Sequence, residues 1–140
     1  MLFDEVFVHR VVQLFASSTE QPNPENIAVY AGLIPQPDLV IYIKAPVDVC
    51  VQRIYDRGVW QRMQDRTPAE LQQFIIHAAQ AVTLMFEQLK TGGWNVIEVD
   101  NSGSELYLAQ QELSVKLSQA GFLDNGVHLS NAVLQQVTVI

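Results

Sequence analysis

Four arginines, Arg53, Arg57, Arg62 and Arg66, fall within fourteen residues of a chain whose formal net charge is -7. Arg53 and Arg57 are spaced to share one face of a helix, so the set forms a local anion site. Guanidinium groups suit polyphosphates because their planar forks bind phosphate oxygens bidentately and their faces stack on a base. The same arginines also fit a solvated helix face paired with Asp48, Asp56 and Asp65. A second candidate is the acidic pair Asp4-Glu5. Carboxylates there can hold a magnesium-bound water or accept a proton from a hydroxyl nucleophile, the two tasks of phosphoryl transfer, or can simply complement the dipole of the next helix.

These residues need elements to position them. Leu39-Val40-Ile41-Tyr42-Ile43 is continuously apolar and β-rich, as expected of a strand covered by helices on both faces of a parallel sheet. Trp94 to Val99 reads as a second such strand, and Leu2-Phe3 as the end of a third, with Asp4-Glu5 at its carboxyl tip. Helices are expected after each. The first carries a core stripe of Phe7, Val11, Leu14 and Phe15, and the next is capped by Asn23 with Pro24 in its first turn and a stripe of Ile27, Tyr30, Ala31 and Ile34. A third runs through Val49 to Arg57 and closes at Gly58. Thr67-Pro68-Ala69-Glu70 is a capping box opening a long helix with a stripe from Leu71 to Leu89, ended by Gly92-Gly93. Ser102-x-x-Glu105 reads as another capping box before a helix carrying Leu106, Ala109, Leu113, Leu117 and Ala120.

The alternation predicts a three-layer α/β fold with a parallel sheet. Ligands of such sheets bind beyond the carboxyl ends of the strands, which places Asp4-Glu5, Lys44-Ala45-Pro46 and Asp100-Asn101-Ser102-Gly103 at the candidate site. The tail from Gly121 to Ile140, with a turn at Asp124-Asn125-Gly126 and a β-prone end at Val137 to Ile140, takes no place in this scheme.

Composition narrows the function classes. A length of 140 residues, 49% of them hydrophobic, supports one core and one domain. Only 16% of residues are charged and mean hydropathy is slightly positive at +0.11, so much of the surface is expected to be covered by other sequence or by a partner. With eight Lys and Arg against fifteen Asp and Glu, a general nucleic-acid footprint is not expected. No apolar run reaches membrane-spanning length, and the single Cys50 fits a reducing, cytoplasmic setting as a small buried residue. His9, His77 and His128 share no metal-ligand spacing and read as surface or internally bonded histidines, Trp60 is placed to pack on a base, and Trp94 belongs in the core.

Pro37-Asp38-Leu39-Val40-Ile41-Tyr42-Ile43, followed by Ala45-Pro46-Val47-Asp48-Val49-Cys50-Val51-Gln52-Arg53-Ile54-x-x-Arg57-Gly58, resembles the fourth strand and lid-leading helix of thymidylate kinases and related P-loop nucleoside monophosphate kinases. The resemblance covers residues 1–120, with a lid at 53–67, and Trp94 to Asp100 is similar to that family's last strand. It implies an ATP- and Mg2+-dependent transfer of a phosphoryl group to a small nucleotide-type acceptor. Arg53 would stack near adenine, Arg57 would meet the triphosphate, and Arg62 and Arg66 would belong to the lid. Asp100, Asn101, Ser102 and Gly103 would border the base. Asp4 would serve the metal, and Asp4 or Glu5 would orient the acceptor with help from Arg10 and Arg66.

Two departures accompany it. Asp4-Glu5 stands where the family carries Asp-Arg or Glu-Arg, and Gln61 replaces an acidic residue in the lid. The larger one is that none of the 7 glycines belongs to a Gly-x-x-x-x-Gly-Lys-Ser/Thr string, the loop whose backbone amides cradle phosphates. The resemblance is therefore to the carboxy-terminal part of a kinase, inactive by itself, with the phosphate loop expected in an upstream continuation of the reading frame. In the family's strand order, 2-3-1-4-5, the absent strand would lie between those at Leu2 and Leu39, so unpaired edges and self-association are expected. The alternative is a non-catalytic module that binds a partner protein or itself through those edges.

Overall fold

The computed structural model describes residues 7–59, 63–103 and 105–122. The expected strand at Leu2, the Asp4-Glu5 pair, Trp60, Gln61, Arg62 and the tail from residue 123 onward, including His128, lie outside the described residues. The described residues form a mixed α/β structure, in the order α1 (Arg10–Phe15), α2 (Pro24–Leu33), β1 (Val40–Lys44), α3 (Val47–Arg57), α4 (Pro68–Thr91), β2 (Val96–Asp100) and α5 (Leu106–Gln119).

Local chemistry sets most of the boundaries. The Asn23 side chain accepts from the Glu25 and Asn26 amides, with Pro24 in the first turn of α2. At α4 the Thr67 side chain accepts from the Glu70 N–H, and the Glu70 carboxylate accepts from the Thr67 N–H at 2.8 Å, a complete capping box. Gly58 closes α3 at φ 88°, and Gly93 follows α4 at φ 77°, conformations that favour glycine.

Two expectations shift. Tyr30 Oη donates to the Phe7 carbonyl at 2.8 Å, holding Phe7 in the turn ahead of α1, so the helical count starts at Arg10. The buried pair becomes Val11 and Val12, while Leu14 is 58% exposed. The Ser102 capping box does not form either. Asp100 Oδ1 captures the Ser102 N–H at 2.9 Å in a tight turn, and α5 starts after Glu105 without a side-chain cap.

β1 and β2 are parallel, with Val40 opposite Val96 and Lys44 opposite Asp100. Helices cover both faces. Val40, Tyr42 and Val96 pack with α4, α1 and α2 around the fully buried Ile27, Met85, Leu89 and Val11, and Tyr42 stacks on Phe86 at 3.9 Å between ring centroids. Leu39, Ile41, Ile43, Ile97 and Val99 pack on Ala109, Leu113 and Leu117 of α5. A third cluster, Cys50, Leu71 and Ile75, seats α3 on the start of α4. The long stripe of α4 thus does what its periodicity predicts, since Leu71, Ile75, Ala78, Val82, Met85, Phe86 and Leu89 are all buried.

The register also fixes which way each peptide group faces. Val40 N–H donates to the Asn95 carbonyl at 2.9 Å and Asn101 N–H to the Lys44 carbonyl at 2.8 Å, so residues 40, 42 and 44 of β1 face β2. The backbone groups of Ile41 and Ile43 therefore point to the opposite edge of β1, and those of Val96, Glu98 and Asp100 point to the outer edge of β2.

Candidate functional site

At the carboxyl ends of the two strands, one of the candidate arginines, Arg53, meets the Asp100–Gly103 loop. Arg53, one turn before the end of α3, reaches across to the loop after β2, where its Nη2 donates to the Asn101 carbonyl at 2.9 Å and the Gly103 carbonyl at 3.0 Å. Asn101 is buried and Gly103 exposed, so the guanidinium clamps the loop at both an inner and an outer point. Within that loop the Ser102 side chain and backbone N–H bond the Asp100 carboxyl and hold it below the usual carboxylate range. Arg57 lies one turn beyond Arg53, is exposed, and makes no hydrogen bond or ion pair among the described residues.

A cavity of about 410 Å³ opens beside this loop, lined among others by Lys44, Pro46, Asp100, Ser102, Glu112 and Lys116. Its charged groups have structural partners. On the outer edge of β2, Glu112 Oε2 accepts from the Asp100 N–H at 3.2 Å, and Lys116 Nζ donates to the Glu98 carbonyl and to the Glu112 carboxylate. The Lys116 ammonium holds the Glu112 carboxyl below its usual range. On the other face Lys90 and then Lys44, at 3.7 Å, flank the Glu98 carboxylate and depress it likewise. An i,i+4 pair on α5 thereby takes two of the outward backbone groups of β2, the Asp100 N–H and the Glu98 carbonyl.

The other arginines are engaged elsewhere. Arg66 Nη1 donates to Ser18 Oγ at 3.0 Å and lies 3.9 Å from Glu70, while Arg10 Nη1 donates to Gln13 at 2.9 Å on its own helix. Neither shares a partner with Arg53. Of the acidic partners considered for the arginines, Asp56 accepts instead from Gln52 at 2.8 Å. Among the described residues no group of three or more His, Cys, Asp and Glu side chains could hold a metal ion.

Sequence reasoning passed over Glu112 and Lys116, although Glu-x-x-x-Lys on a helix is a readable pair. Of the two expectations for His77, internal bonding or surface exposure, the structure shows internal bonding. His77 is buried on α4, with Nδ1 2.6 Å from the Ser17 carbonyl and Nε2 2.8 Å from the Gln73 amide nitrogen, an arrangement satisfied when Nδ1 donates and Nε2 accepts. Cys50 is buried as expected, and desolvation pushes its thiol up. No helix among the described residues is long and apolar enough to cross a membrane. The chain matches no protein-family model, and no curated protein or solved structure matches it.

Proposed function

We propose that these residues form the base-binding and lid half of a P-loop nucleoside or nucleotide kinase, whose complete form transfers the γ-phosphoryl group of ATP to a small acceptor. The observation that carries this reading is the Arg53 clamp, which fixes a lid-leading helix against the Asp100–Gly103 loop at the carboxyl edge of a parallel sheet. In the proposal, adenine lies along the Arg53 guanidinium and the 101–103 backbone, and the exposed Arg57 meets the phosphates. Asp4, Glu5 and Arg62 retain the roles that the resemblance implies, with Asp4 serving Mg2+. The described residues by themselves offer no cluster of three or more His, Cys, Asp and Glu side chains for that ion. The cover that Glu112 and Lys116 give to two outward groups of β2 agrees with its being the terminal strand of the family's order.

The test is a titration of the chain with ATP and, separately, adenosine, followed through backbone amide resonances. Both ligands should shift Asn101, Ser102 and Gly103, with ATP binding more tightly. Arg57→Ala should weaken ATP by roughly tenfold or more, the loss of one charge-assisted contact, and leave adenosine unchanged. The 140 residues should show no ATP turnover, because the phosphates lack a loop to position them. Loop resonances that stay still at millimolar ATP would refute the reading.

A second reading, of a non-catalytic module that pairs through an open edge, is favoured by a separate observation. Among the described residues no hydrogen bond reaches the outward backbone groups of Ile41 and Ile43.

A further inference from the structure

The two edges of the sheet are built differently. The outer edge of β2 is partly covered by Glu112 and Lys116, which take its Asp100 N–H and Glu98 carbonyl. The edge of β1 carries the outward N–H and C=O groups of Ile41 and Ile43 with no such cover among the described residues. A strand added there would lie between helical layers on both faces, so its central residues have to be uncharged on both faces. β1 itself has that composition from Leu39 to Ile43.

We propose that β1 pairs antiparallel with β1 of a second copy of this chain, about a two-fold axis at Tyr42, and that assembly stops at the dimer. In this register Ile41 of each copy exchanges both backbone bonds with Ile43 of the other, so all the outward groups of the strand are satisfied. Lys44 falls opposite Val40 of the second copy rather than opposite another lysine, which avoids a like-charge pair. The half-buried side chains of Ile41 and Ile43 gain neighbours along the α5 face. A parallel pairing of the same strand would not close under two-fold symmetry. The resulting four-stranded sheet ends on both sides in a β2 edge where Glu112 and Lys116 already take the Asp100 N–H and the Glu98 carbonyl, so that edge is a poorer template for a third copy than β1 is for a second. This proposal rests on the second reading, in which the open edge is used, and is independent of nucleotide binding.

The experiment is light scattering with size-exclusion chromatography on the 140-residue chain at about 100 µM, together with two variants. The wild type should elute at about twice its 15.7 kDa. Ile43→Pro removes an N–H that points away from β2, so it should keep the circular dichroism of the wild type and shift the chain to monomer, weakening association at least tenfold. Tyr42→Cys, in a Cys50→Ala background, places two thiols at a non-hydrogen-bonded pair with Cα atoms about 4.5 Å apart, within disulfide range. It should cross-link under mild oxidation, and this arm decides the register even where Ile43→Pro does not fold. Open-ended aggregates of the wild type, or a dimer in which Tyr42→Cys fails to cross-link, overturn the proposal. So does a wild-type monomer, and amide exchange then separates the readings. Fast exchange at Ile41 and Ile43 leaves the edge open to a different partner, whereas protected amides remove the second reading as well.

Discussion

Replacing Arg53 by methionine keeps the apolar stem on α3 and removes the guanidinium that holds the loop after β2. One nitrogen donates to two carbonyls, at 2.9 and 3.0 Å, and a hydrogen bond to a charged group contributes about 1.5–3 kcal/mol. Sharing a single donor and partial exposure reduce the pair to about 2 kcal/mol. Most of that loss belongs to Asn101, which is only 7% exposed and has little water to replace its donor, whereas Gly103 rehydrates. The Asn101 amide bonds the Lys44 carbonyl at 2.8 Å and exchanges with solvent only when the loop opens. At 1.4 kcal/mol per decade its exchange should therefore speed up roughly 30-fold in Arg53→Met. Amides in the middle of α4 should be far less affected, because Met85 and Leu89 do not touch this loop. Unchanged exchange at Asn101 would refute the clamp, and an equal acceleration at Asn101 and across α4 would show a global loss of stability instead.

Acid should weaken the edge of β2. Lys90 and Lys116 depress the Glu98 and Glu112 carboxyls, so their contribution is fully present above the unfolded value of about 4.3 and is lost as pH falls through the lower folded values. The urea midpoint of a Glu98→Gln/Glu112→Gln variant should fall less between pH 5 and pH 3 than that of the wild type, and parallel curves would contradict the assignment. Met85 is fully buried beneath the sheet, so Met85→Ala should cost about 2–5 kcal/mol in urea unfolding, with a loss under 1 kcal/mol ruling out the core as described.

What was legible in the sequence was local chemistry. Thr67, Pro68 and Glu70 specify the start of α4 whatever surrounds them, and the uninterrupted apolar run ending at Ile43 needs helices on both faces. Errors arose where two local signals competed. Ser102 sits at capping-box spacing, but the Asp100 carboxylate two residues earlier takes its N–H first. Phe7 has the helical spacing to Val11, yet a hydrogen bond from Tyr30, 23 residues away, fixes it before the helix begins. The candidate site shows the same division. Proximity in sequence grouped Arg53 with Arg66, but Arg53 turns to the loop after β2 and Arg66 to Ser18, a separation that depends on where α4 carries the chain. The bonds from Glu112 and Lys116 to the β2 backbone were beyond reach for the same reason, since they depend on which peptide groups the register turns outward.

The pairing of Val40 with Val96 has a consequence for the order in which the chain acquires structure. Parallel strands share no turn, so the contact between them must be reached by diffusion across the whole of α3 and α4, against loop-closure entropy. The 24-residue α4, with a capping box at one end and a glycine pair at the other, needs no distant contact to begin forming. Once formed it shortens the connection between the strands, because a helix advances only about 1.5 Å per residue. It also offers each arriving strand an apolar stripe on which to settle. Strand pairing is thereby a late step, and until it occurs the runs that become β1 and β2 are exposed together, so the interval before they meet is when the chain is most vulnerable to misassembly.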